Sequence, residues 1–173
     1  MGEFPMRLRL VAFVLLIAFL AGTSAASATA VVISINKIGQ KMTVTVDGVR
    51  KYVWPVSTGA SGYSTPSGQF RPFRMEAEHF SKEWDDAPMP HAIFFTARGH
   101  AIHGSYHVKS LGRRASHGCV RLHPDNANKL FALVRKAGMR NTSVVVRGGL
   151  DFGGQGQFPA KRKRKPLWFL SGD

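Results

Sequence analysis

The sequence predicts a mainly β fold with one principal helix, and three observations carry that expectation. Met42, Val44 and Val46 alternate with Thr43 and Thr45, which is the period of a half-buried strand. Asp47-Gly48 then separates that run from the next apolar stretch, as in a tight hairpin whose turn residues tolerate positive φ. Further along the period changes: Ala127, Leu130, Phe131, Val134 and Ala137 recur at the spacing of one helix face. With 173 residues, 44% of them hydrophobic, the chain has room for one ordinary core. No apolar run reaches the ~18 residues of a membrane-spanning helix.

In order, residues 31–36 read as a first strand, 37–40 as a turn, 42–46 as a second strand and 49–54 as a third, making a three-stranded meander. Gly59, Gly62, Pro66 and Gly68 lie among Ser and Thr in residues 56–70, so this stretch should leave the sheet as a loop and re-enter near 69–73. Residues 74–90 carry Glu76, Glu78, Glu83, Asp85 and Asp86 and read as an irregular excursion or lid with about one helical turn. Residues 92–96 form a short apolar strand, 101–102 begin another, and 109–116 are a basic loop. Pro124 suits a first helical turn, Asp125 suits the positive end of the helix, and Gly138 suits its stop. Residues 142–147 close the sheet.

Both ends look different from this domain. Arg7 and Arg9 precede twelve apolar residues and then a run of small ones, which reads as a signal peptide over residues 1–28, cleaved after Ala28. That leaves a domain at 29–147 and a Gly-rich, basic tail at 148–173. The formal charge is +14, and loss of Arg7, Arg9 and Glu3 lowers it by one to +13. Export to the periplasm or cell envelope argues against nucleic acid as the partner of so basic a chain. An anionic envelope surface is the alternative, met by the five consecutive bases Lys161 to Lys165 beside Trp168 and Phe169. Like-charge blocks usually stay solvated and unfolded, so a disordered tail is the plainer expectation.

His103, His107, His117 and Cys119 fall within seventeen residues. A single cysteine excludes internal disulfides and multi-cysteine metal sites, and in an exported protein a free thiol invites oxidation. A buried thiol acting as a small hydrophobe is the bland alternative. Gly118 lets the backbone come close, and the histidines on either side can supply a base, so the pattern fits a thiol nucleophile. Main-chain N–H groups of Gly118 and Cys119 could hold an oxyanion. Ser116 and His117 are candidates for orienting the turn and contacting substrate, and Arg121 for a substrate carboxylate. Two other classes compete: a zinc hydrolase using His100, His103, His107, His117 and Cys119, and a non-enzymatic envelope-binding protein.

Ile102-His103-Gly104, followed by Ser116-His117-Gly118-Cys119-Val120-Arg121, resembles the signature of the L,D-transpeptidase catalytic domain, the YkuD-like fold. Pro55-Val56-Ser57-Thr58-Gly59 with Thr65-Pro66-Ser67-Gly68, and Met89-Pro90 through Ile93-Phe94-Phe95, resemble further segments of that family. The resemblance spans residues 31–147. It implies a compact mixed-sheet, β-sandwich-like fold and a cysteine acyltransferase acting on peptidoglycan stem peptides. By that resemblance Cys119 is the nucleophile, His103 its base, and the main-chain carbonyl of Gly104 orients His103 in place of a carboxylate. No Asp or Glu falls between His103 and Arg121, which agrees. The resemblance further implies no metal or organic cofactor, and an amine acceptor on another stem or on an envelope protein.

Truncation after Arg147 removes the basic block without touching any motif of the domain. Turnover on soluble fragments should persist, while cosedimentation with anionic vesicles should weaken. The full-length protein's binding should fall as salt shortens the screening length to about 8 Å. Equal binding by both forms at every salt concentration would leave the tail with no role in attachment.

Overall fold

The computed structural model describes residues 29–148; the leader and the Lys161 to Lys165 block lie outside the described residues. The chain opens with the expected meander, β1 (Val31–Asn36), β2 (Lys41–Val46) and β3 (Val49–Pro55). Asp47 and Gly48 have φ of 49° and 79°, so both central residues of the β2–β3 turn are left-handed. That conformation matches the twist of the flanking strands. After a long loop come β4 (Gly68–Phe70) and then β11 (Thr142–Arg147), which inserts between β1 and β4. The first sheet therefore runs β3-β2-β1-β11-β4, with β11 parallel to β1.

A second sheet, β10-β9-β8-β5, is built from β5 (Arg74–Glu76), β8 (Ala92–Phe94), β9 (Ala101–Gly104) and β10 (Val120–Leu122). Helix α1 (Pro124–Ala137) follows. Pro124 occupies its first turn, the His123 ring accepts the Asp125 N–H, and Gly138, at φ 84°, ends it while donating to the Val134 carbonyl. Its apolar face, Ala127, Leu130, Phe131, Val134 and Ala137, packs into one core with Ile33, Ile35, Met42 and Val44 of the first sheet and Ile93, Ile102, Val120 and Leu122 of the second.

One expectation needs correcting. Residues 74–90 contain no helical turn; they hold β5 and a small hairpin of β6 (Phe80–Ser81) and β7 (Ala87–Pro88), with Asp85 and Asp86 at φ 48° in its tip. Left-handed backbone at two successive aspartates closes a tight turn there. The helix begins at Pro124 and stops at Gly138 as expected, and the three-residue strand β10 stands before it where the sequence showed no period. Strand re-entry falls at Gly68–Phe70, slightly earlier than expected, and the basic loop contains a 3-10 turn at Val108–Ser110.

The loop after β3 is tied down rather than free. Gln40 accepts the Thr58 N–H at 2.9 Å and donates to Thr58 Oγ1 and to the Lys37 carbonyl. Ser57 pairs with Arg121 and Gly59 with Ser116, so this loop flanks the free edge of β10. Gly59 is needed for the close approach: a Cβ there would lie 1.7 Å from the Tyr63 carbonyl oxygen. Gly59→Ala should lower stability by about 1–3 kcal/mol, as overpacking generally does, read as a fall in the urea midpoint. An unchanged midpoint would mean that the loop does not brace β10.

Candidate active site

Strand alternation assigns each face of the second sheet. Ile93, Ile102, Val120 and Leu122 point into the core, leaving Ala92, Phe94, Ala101, His103, Cys119 and Arg121 to the opposite side. β9 and β10 are parallel with His103 opposite Arg121, so Cys119, two residues before Arg121, rises on the same face. His103, Cys119 and Arg121 all line one cleft of about 590 Å³.

His103 is 5% exposed, and its Nδ1 lies 2.7 Å from the Gly104 carbonyl oxygen. A carbonyl can only accept, so Nδ1 carries the proton and Nε2 holds the free lone pair. Burial lowers the imidazole pKa to about 4; the bond to Gly104 opposes that shift, and the charges of Arg121 and His79 add to it. Burial pushes the Cys119 thiol above its ordinary range; the Ala101 backbone and Arg121 oppose this, and Glu83 adds to it. Both groups are therefore neutral at pH 7. The sulfur faces the Gly99 carbonyl at 3.8 Å.

The turn carrying Cys119 is fixed from several sides. Thr65 Oγ1 accepts from the Gly59 N–H and donates to the Gly118 carbonyl at 2.8 Å. Gly118 has φ 114°, and a Cβ there would lie 3.1 Å from the His100 ring, so the position demands glycine. The His100 ring is itself held by Thr96 Oγ1 at Nδ1. Two of the residues singled out in the sequence are placed differently from expectation. Ser116 is fully buried and does not line the cleft; its hydroxyl donates to the Cys119 carbonyl at 2.6 Å and accepts the Gly118 N–H at 3.2 Å. Ser116 thus orients the turn from behind the cleft, and the Gly118 N–H considered for an oxyanion is engaged inside the turn.

Arg121 lines the cleft, although one of its Nη atoms already donates to the Ala115 carbonyl. His117 lies exposed at the rim, stacked on Trp84 with centroids 3.6 Å apart and meeting Tyr63 edge-on at 4.9 Å. Trp84 sits at the hairpin tip, so the excursion of residues 74–90 does form a lid. His107 lines the cleft as well. Among the described residues no three His, Cys, Asp or Glu side chains are grouped to hold a metal, so the donor set of a zinc site is not assembled. Sequence reasoning missed Tyr63 and Trp84 as lid contacts, along with His79 and Arg98 of the cleft wall. The isolated tryptophan within an acidic turn was the available signal.

A thiol and a tautomer-fixed imidazole on one face of two parallel strands, under a lid, define a cysteine–histidine site on a two-sheet scaffold. Residues 29–146 match the model of the L,D-transpeptidase catalytic domain, YkuD, and the chain belongs to that family. A putative L,D-transpeptidase of Bacillus subtilis, YqjB, is 29% identical over 112 residues, which cover 58% of this chain and 64% of that protein. An L,D-transpeptidase structure from Mycobacterium smegmatis aligns with a TM-score of 0.63 at 26% identity, over 69% of this chain and 59% of the other. The fold is also shared with L,D-transpeptidase 3 from Mycobacterium tuberculosis in complex with a faropenem-derived adduct, at TM-score 0.61 and 24% identity, over 69% and 61% of the two chains. This chain therefore spans less than two thirds of the length of these relatives.

The His103 environment predicts a pH signature. The folded protein holds this imidazole near pKa 4 and the unfolded chain near 6.5. Between those values the unfolded state binds the proton and the folded state does not, so stability rises with pH across the window and is complete above it. The contribution is roughly 3 kcal/mol at about 1.4 kcal/mol per pKa unit. Urea midpoints from pH 4 to 7 should fall less on acidification in His103→Gln than in the wild type; parallel curves would show that the ring is not buried neutral.

Proposed function

We propose that this protein is a peptidoglycan L,D-transpeptidase that works by cysteine acyl transfer. The observation that carries the reading is the His103 Nδ1–Gly104 carbonyl bond, because it leaves Nε2 unprotonated on the face that carries Cys119. Nε2 takes the thiol proton as sulfur attacks the donor stem's carbonyl carbon, at the bond between the L-centre of residue three and the terminal D-residue. The C–N bond breaks, and the imidazolium returns its proton to the departing amine, leaving a thioester on Cys119. An amine on a second stem or an envelope protein then attacks that carbonyl. Its proton passes through His103 to the sulfur, and the thiol is restored.

Arg121 fits a carboxylate of the donor, because its planar fork lies on the cleft beside the nucleophile. The charged leader-like segment supports action outside the cytoplasmic membrane, where such substrates lie. The faropenem-derived adduct of the M. tuberculosis protein supports acylation by a strained β-lactam.

Incubation with a carbapenem should add one acyl group to the intact mass, and the adduct should be absent in Cys119→Ala. Loss of a general base typically costs about 100- to 10,000-fold, so His103→Ala should slow acylation by that order. EDTA should leave the rate unchanged. An adduct that persists in Cys119→Ala, or EDTA-killed activity restored by zinc, would overturn the assignment.

A further inference from the structure

The cleft lining is strongly asymmetric in charge. Its lining carries Arg74, Lys82, Arg98 and Arg121, whereas Glu83 is its one carboxylate among the described residues. Glu76, close by, is already committed: Arg74 lies 3.1 Å from one of its oxygens and the His79 ring lies against the other. Glu83 makes no ion pair among the described residues. It sits on the lid directly before Trp84, whose ring is stacked on His117, two residues ahead of Cys119. The stack therefore places Glu83 on the lid side of the cleft that Cys119 also lines.

From this geometry we infer that Glu83 is the recognition residue for the acyl acceptor, binding the ammonium form of an incoming primary amine at the lid side of the cleft while the arginines hold donor carboxylates. The inference rests on the acyl-transfer reading above and adds a determinant for its second half. A carboxylate stabilises the ammonium but not the free amine that attacks, so its effect belongs to capture rather than to the chemical step. It should appear in the acceptor KM, not in kcat. On leaving Glu83 the ammonium gives its surplus proton to solvent, and the second proton, released as the amine attacks, passes through His103 to the departing sulfur, so no other reactant is needed.

The test uses the mature protein, a stem-peptide donor and two nucleophiles: a diamino-acid stem, which arrives as a cation, and hydroxylamine, which is neutral at pH 7.5. Glu83→Gln should raise the acceptor KM for the diamino stem about five-fold, the size expected of one charge pair at a solvated site. Hydrolysed donor should rise against cross-linked product. Carbapenem acylation of Cys119, kcat and the hydroxylamine reaction should hold, and Glu83→Asp should retain most of the preference. An unchanged acceptor KM with normal acylation would overturn this inference alone. An equal loss with hydroxylamine would also overturn it, since a damaged lid does not discriminate by charge. If the wild type forms no acyl adduct, the acyl-transfer reading falls and this inference falls with it.

Discussion

The parallel register of β9 and β10 is the constraint on which the site depends. His103 stands opposite Arg121, so Cys119, two residues upstream, shares its face, while Ile102, Val120 and Leu122 lock into the core behind. A slip of β10 by one residue would turn its side chains to the other face, burying the thiol and the guanidinium and exposing Val120 and Leu122. The core therefore fixes the placement of His103, Cys119 and Arg121 from behind the sheet. Because β10 has only three residues, pairing with β9 alone would hold it weakly. Its other edge is closed by the Ser57–Arg121 bridge, and Thr65 clamps the turn at its start.

Burial of His103 has a cost and a use. A desolvated imidazole resists protonation, which destabilises the fold in acid but keeps a proton acceptor available at neutral pH. The matching upward push on Cys119 means that the pair rests as thiol and imidazole rather than as an ion pair. A neutral thiol is also less prone to oxidation than a thiolate.

Much of this was legible in the sequence. Alternation and Asp47-Gly48 gave the meander, helical spacing with Pro124 and Gly138 gave α1, and Ile102-His103-Gly104 with Ser116 to Arg121 gave the residues of the site. What stayed hidden has common physical causes. β6, β7 and β10 have two or three residues, too few to express a period, and β10 takes its partner from β9, with Val120 opposite Ile102. The role of Ser116 depends on a turn whose carbonyl and N–H directions are set by Gly118 at φ 114°, which residue identity alone does not reveal. The stack of Trp84 on His117 joins residues 33 positions apart, so no local pattern announces it.

The lid shows how access and closure can coexist. Its base is tied by backbone bonds, Met89 N–H to the His79 carbonyl and His91 N–H to the Ala77 carbonyl, so the hairpin cannot drift away from the sheet. The tip is held across the cleft by ring contacts, Trp84 on His117 and Tyr63 against both. Such contacts are each worth about 0.5–1.5 kcal/mol beyond the area they bury. A few of them together leave an open state at the per cent level, since about 1.4 kcal/mol corresponds to a factor of ten. Lifting the tip thus requires no unfolding of either sheet, and a tip held down over the cleft leaves less room for water beside Cys119.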